Sequence, residues 1–199
     1  MSTVPERQHT TTPERPIRAD ARRNRDRILA AAKSVFAESG LEAQMDAVAD
    51  TAGVGVGTVY RHFPTKDALL GELVANRFEE FCAEAQAALA DEDGEPFEVF
   101  ADHLRRNAAL VAADAGTRHA LMCESETVWA HAVPARTVLL ELNARLIARA
   151  QAAGTMRADF TADDIPQLMC GLSATMGMTG PGFDWRRQLE LLIDAMRAR

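Results

Sequence analysis

The stretch Met45–Lys66, reading MDAVADTAGVGVGTVYRHFPTK, constrains this chain more than any other. It has the spacing of two short helices that cross steeply, followed by the start of a longer one. A small residue, Ala49, stands where the two backbones must approach. Gly53 comes four residues later, where the first helix should end and the backbone should turn with φ > 0. Val48, Ala52, Val54 and Val59 are the apolar contacts that lock the pair. A helix-turn-helix of this size cannot bury a core alone, so it needs a helix before it and another after it.

Both flanking helices are legible. Asp20 is an expected N-cap for a helix over about 21–38, with Gly40 as its stop. Ile28, Ala32, Val35 and Phe36 share one face of it, and its arginines lie mostly on the other. The next helices are expected at about 45–52, after the poor cap Gln44, and at about 56–62. Pro64 stops the second of these by pushing Phe63 out of the helical region. Thr65 then caps a fourth helix, over about 66–90. Its Lys66 is unfavourable beside the positive end of the helix dipole unless an external anion docks there.

Charge is unevenly placed. The 199 residues carry a net charge of −7, yet residues 7–33 hold eight basic and three acidic side chains, a balance of +5. From Asp67 onward there are twelve basic and twenty-one acidic residues, a balance of −9. A basic front and an acidic rear suit a protein that offers only its N-terminal part to a polyanion. Residues 1–19, rich in Thr, Pro, Arg and Glu, read as a disordered arm whose Arg15 and Arg18, with Arg22 and Arg23 beyond it, can reach a DNA backbone. Cys82, Cys123 and Cys170 are too few and too scattered for a disulfide framework. The N-terminus has no apolar signal segment, and no apolar run reaches the roughly 18 residues of a membrane span, so a cytoplasmic protein is expected.

The remainder reads as helix: about 97–113, 117–127, 135–152, 161–177 and 184–198, with a loop at 91–96, a break at 129–134 and a tight loop at Gly180-Pro181-Gly182. The fold class expected is all-α with about nine helices. Residues 20–65 form a helix-turn-helix unit, and residues 66–199 form a second helical part.

The run AVADTAGVGVGTVYRHFPTKDALL resembles the DNA-binding signature of the TetR family of transcriptional regulators. The A-G-V turn, the G-T-V-Y-R-H-F helix and the P-T-K-D-A-L start of the fourth helix occur in order without gaps. The resemblance covers about residues 22–75. It implies that Thr58, Tyr60, Arg61 and His62 lie at the DNA, with Tyr60 and Lys66 on the backbone and Thr58 and His62 at base edges. Gln44 stands where the family often has a hydroxyl that holds a phosphate. Val56 replaces a residue that is often basic, which leaves a side chain suited to a thymine methyl or to packing.

The resemblance also implies a homodimer on a near-palindromic operator and a small-molecule effector bound among the fourth to eighth helices. Expected contacts to a largely apolar effector are Phe78, Phe81, Phe100 and His103, together with Leu104, Met122, Trp129 and Met169. The stripe Leu168, Leu172 and Met176 and the stripe Trp185, Leu189, Leu192, Ile193 and Met196 are the expected dimer interface, where they would form a four-helix bundle with their copy. A shift of the fourth helix is the expected coupling. A repressor is favoured over an activator.

Other classes find less support. Gly171–Gly177 is no nucleophile elbow, and Gly53, Gly55 and Gly57 follow a helix rather than a strand, so no enzyme and no cofactor is expected. His119, Cys123 and Glu126 are an alternative metal-responsive set. A general DNA-compacting protein is disfavoured by the acidic rear and by a recognition helix of low charge.

Overall fold

A computed structural model of the chain describes residues 14–178 and 182–198. Among these residues there are nine α-helices and one short 3-10 turn. The helices are α1 (Glu14–Ser39), α2 (Met45–Ala52), α3 (Val56–His62), α4 (Lys66–Ala90), α5 (Pro96–Ala113), α6 (Ala115–Leu121), α7 (Glu126–Ala152), α8 (Asp164–Met176) and α9 (Trp185–Met196). The all-α expectation holds. The expected arm lies mostly outside the described residues, as do Gly180 and Pro181. From Glu14 the chain is already helical, so Asp20 lies inside α1 rather than capping it.

The helix-turn-helix forms as its residues dictate. Gly53 takes φ 64°, its N–H reaches the Asp50 carbonyl, and the Val54 N–H reaches Ala49 at 3.1 Å, so the last carbonyls of α2 are satisfied by a left-handed cap. Arg27 of α1 closes the same end by donating to the Ala52 carbonyl at 2.6 Å. Phe63 is extended before Pro64 and buried beside Val59. The Thr65 hydroxyl accepts from the Ala68 N–H at 3.1 Å and starts α4.

α4 belongs to two cores. Its Leu69, Leu70, Leu73 and Val74 join Ile28, Phe36, Val48, Val59 and Phe63, along with Ala120, Val128 and Ala132 from α6 and α7. Its Phe81, Cys82, Ala85 and Ala88 join the core of α5, α7, α8 and α9. Phe78 packs against both. α4 and α7 pack along much of their lengths, and at Gly71 they come so close that an added Cβ would meet the His131 ring at 2.6 Å.

Three expectations about α6 and α7 are corrected. α6 ends at Leu121, not near Thr127, and α7 begins at Glu126 with no break at 129–134. Ser125 caps α7 by accepting from the Val128 N–H, and its hydroxyl donates to Asp67 at 2.7 Å. Pro134 sits within α7 on an exposed face, and Ala130, whose carbonyl loses its helical donor, is also exposed. Water can serve that carbonyl, so the proline does not stop the helix. α8 begins at Asp164 rather than near Thr161, because Asp164 accepts from the Thr161 N–H and hydroxyl in the turn before the helix. No described helix is long and apolar enough to cross a membrane.

Candidate nucleic-acid interface and ligand cavity

α3 stands on the surface with one face turned outward. Val56 is 43% exposed and Tyr60 47% exposed, and Gly55, Gly57 and Arg61 share that exposure. Thr58 and His62 are half-buried. The Arg61 guanidinium is held along the helix by the Gly57 carbonyl at 3.2 Å and the Thr58 hydroxyl at 3.4 Å. Gln44 is exposed, and its amide donates to the Glu42 carbonyl at 2.9 Å.

Lys66 is engaged within the chain. Its ammonium donates to the Leu41 carbonyl and lies 5.9 Å from the centre of the Phe36 ring. The lysine therefore ties the start of α4 to the end of α1. The ammonium is thus partnered within the chain by a carbonyl oxygen and an aromatic face. The arginines of α1 divide in the same way. Arg22 and Arg23 are exposed, whereas Arg25 pairs with Glu72 of α4 at 2.6 Å and lies over Phe63, and Arg27 holds the end of α2.

Beyond this head, a cavity of about 380 Å³ lies between α4, α5, α6, α7 and α8. Six of the expected residues line it: Phe78, Phe81, Leu104, Met122, Trp129 and Met169. Phe78 sits edge-on to both Phe81 and Trp129, with ring centres 5.8 and 6.0 Å apart. The Trp129 indole donates to the Cys123 carbonyl at 2.7 Å, which fixes the link between α6 and α7. Phe100 and His103 do not line the cavity. Phe100 is packed edge-on to Phe160 in the core, and His103 is fully buried behind the wall. The other aliphatic wall residues, Val111, Leu121, Leu139 and Ile165 among them, belong to ordinary core stripes. Nothing in the sequence marks them apart from neighbours that face elsewhere.

The polar wall residues are more informative. Asn107, Asn143, Ser173 and Arg136 line the cavity, and none of them was anticipated. Asn107 and Asn143 are buried, on helix faces that are otherwise apolar. A polar residue at such a position is the signal that sequence reasoning had available. His103 Nε2 lies 2.9 Å from Asn143 Oδ1 and 3.3 Å from Asn107 Nδ2. Burial pushes the His103 imidazole below its ordinary value, against a smaller upward pull from the Asn143 hydrogen bond. Met122, Val133, Arg136 and Cys170 are exposed as well as wall-lining, so the mouth lies on their side.

Of the two stripes expected at a dimer interface, Leu172, Leu189, Ile193 and Met196 are buried within this chain's own core, and Leu168, Met176, Trp185 and Leu192 are partly buried against it. These residues face inward because α8 and α9 pack onto the cavity-bearing core of α4, α5 and α7. The outward side of the same pair carries Cys170, Gly171, Ala174 and Leu191. The suggested metal set is not assembled. His119 Nδ1 is bonded to the Phe36 carbonyl at 2.8 Å, and Cys123 lies past the end of α6, so the four-residue helical spacing is not realised.

Residues 28–73 match the model of bacterial regulatory proteins of the tetR family, and residues 95–198 match that of the SbtR-like transcriptional regulator C-terminal domain. The HTH-type transcriptional repressor KstR of Mycolicibacterium smegmatis is 44% identical over 79 residues, which are 39% of this chain and 38% of that protein. The chain thus aligns with well under half of that relative. A TetR transcription regulatory protein from Mycobacterium vanbaalenii is 36% identical in its crystal structure, over 92% of this chain and all of that one, with a TM-score of 0.62. FadR of Bacillus subtilis, crystallised with stearoyl-CoA, shares the fold at a TM-score of 0.69 and 19% identity, over 85% of this chain and 95% of that one.

Proposed function

Since the chain belongs to the TetR family of bacterial transcriptional regulators, we infer that it is a sequence-specific repressor released from its operator by a small, largely apolar effector. The observation that carries this reading is the division of α4 between two cores. One end is packed under the exposed α3, and the other lines an apolar cavity. A ligand that settles among Phe78, Phe81 and Trp129 acts on the helix that also carries Leu69 and Leu73 beneath the reading head.

On this reading residues 20–65 are the reading head, and residues 66–199 sense the ligand and form the dimer. Tyr60 and Val56 meet DNA directly, and Arg61 turns from its intrahelical bonds to a phosphate. Two heads of a homodimer then occupy successive major grooves, about 34–36 Å apart, on a near-palindrome. A ligand that prefers the spread dimer by about 1–3 kcal/mol lowers operator affinity roughly 5- to 150-fold.

Selection of bound DNA from a random pool, by the purified protein, tests the reading. A short set of near-palindromic sites, lost with Tyr60→Ala, is the expected result. Recovery of unrelated sequences with no preferred site overturns it.

A further inference from the structure

The polar atoms around His103 cannot all be satisfied by one another, and the shortfall bears on what the cavity holds. The ring is fully buried and kept neutral by its burial, so Nε2 either donates or accepts, but not both. Asn143 Oδ1 at 2.9 Å requires Nε2 to donate, whereas Asn107 Nδ2 at 3.3 Å requires it to accept. At least one amide must therefore be turned, since oxygen and nitrogen of an amide are told apart only by their partners.

Both solutions leave Asn107 with something to spare. If Nε2–H donates, it is shared between Asn143 Oδ1 and a turned Asn107 Oδ1, and the Asn107 NH₂ is left over. If Nε2 accepts from Asn107 Nδ2, the Asn107 Oδ1 is left over, as is a bare N–H on Nδ1. His103 Nδ1 and Asn107 Oδ1 have no partner among the described residues. The first solution keeps the shorter contact and leaves only acceptor capacity bare on the ring, so it is the cheaper one. Asn107 is 6% exposed and is a wall residue of the cavity, on the face that also carries Leu104 and Val111. The surrounding wall, from Phe78, Phe81, Leu139 and Ile165, is apolar.

We propose that the effector is an apolar molecule bearing one neutral hydroxyl or carbonyl group, which hydrogen-bonds the spare end of the Asn107 amide. This rests on the reading of the cavity as the effector site. His103 is a positioning residue that holds the amide from behind the wall, and Asn143, itself a wall residue, fixes the His103 ring. A hydroxyl suits either amide orientation, because it donates and accepts. A carbonyl or ether suits only the orientation with the NH₂ spare. A carboxylate also accepts from a spare NH₂, but burying its charge against this largely apolar wall carries a desolvation cost that a neutral group avoids.

Three probes of one shape test the proposal: 4-hydroxybiphenyl, 4-methoxybiphenyl and 4-methylbiphenyl, bound to the full chain and followed by calorimetry and by quenching of Trp129. The expected result is that 4-hydroxybiphenyl binds roughly 5- to 30-fold more tightly than 4-methylbiphenyl. Asn107→Leu should erase that preference while 4-methylbiphenyl still binds. The comparison among probes needs only the unaltered protein, so it stands even if Asn107→Leu does not fold. Equal binding of the hydroxyl and methyl probes overturns the polar anchor and leaves the effector cavity intact. A hydroxyl preference that persists in Asn107→Leu also overturns it. Failure of all three probes to bind removes the cavity reading, and the anchor with it.

Discussion

Asp114 gathers three helices onto one carboxylate. It caps α6 by accepting the Thr117 N–H at 2.8 Å and the Thr117 hydroxyl at 2.7 Å, and it takes Arg77 of α4 at 2.9 Å and Lys33 of α1 at 3.3 Å. Burial opposes its charge most strongly. The Thr117 bonds and Lys33 together outweigh that cost and hold it below its ordinary value. Arg77 is nearly fully buried, so losing Asp114 strips it of one of its two carboxylate partners, the other being Glu80 at 2.6 Å. Asp114→Ala should lower stability by about 3 kcal/mol in urea unfolding, the cost of breaking a buried pair together with a helix cap. His103 sets a pH dependence of opposite origin. An unfolded imidazole takes a proton near 6.5, and the buried ring resists it. Stability should fall as pH drops below about 6.5 toward the lowered folded value, and it should be fully present above 6.5. Urea unfolding of His103→Gln at pH 7.5 and pH 5.5 should show a shallower loss than the parent. Neither role was legible beforehand. Asp114 is one carboxylate among many in an acidic half, and His103 looked like a ligand contact because only its type and rough helix position were known.

At the scale of elements, α6 joins the two cores. Gly116 lies directly on the backbone of Lys33, and an added Cβ would collide with the Lys33 carbonyl. His119 bonds the Phe36 carbonyl one turn later. The far end of α6 supplies Leu121 to the cavity wall, with Met122 next to it. α6 is thus a second strut beside α4, running from the cavity to α1. Gly116→Ala should push α6 off α1 and cost about 2 kcal/mol or more, visible as a lowered melting temperature and as weaker operator binding before any effector is added. Gly53→Ala strains the left-handed turn at φ 64° and should cost about 1–2 kcal/mol while leaving α4–α9 in place, as amide exchange would report. The turn at Gly53 and the start of α4 at Thr65 were readable because each depends on a local turn or cap, whereas α2 and α3 begin without a side-chain cap and were readable from the spacing of the helix-turn-helix. The run from α6 into α7 was misread because Pro134 usually interrupts a helix, and only its position on an exposed face makes it harmless.

For the whole molecule, the inward facing of Leu172, Leu189, Ile193 and Met196 changes what a dimer can use. These side chains close the chain's own core, so the homodimer proposed above would use the other side of α8 and α9 together with the partly buried Leu168, Met176, Trp185 and Leu192. Gly171 and Ala174 allow close approach there, and Leu191 offers an apolar contact. Ala174→Glu should shift sedimentation toward monomer and abolish operator binding, while Ile193→Glu should unfold the chain instead. The periodic stripes were correct as apolar faces. A helical period states which residues share a face, and it is silent on whether this chain or a second one covers that face.

The local chemistry of residues 45–66 was sufficient, by itself, to determine a helix-turn-helix with a glycine turn and a proline stop, and the family resemblance carried by the same run pointed to a DNA-binding regulator. Those features are set by backbone conformations and caps within a few residues of one another. Only the tertiary structure decided that Lys66 bonds Leu41 rather than standing free, that α4 and α6 together bridge two cores, and that Asn107 is left with an unpaired amide atom in the wall of an apolar cavity. Each of those outcomes depends on which distant residue arrives at a given face, and a pattern of periods and caps holds no record of such arrivals.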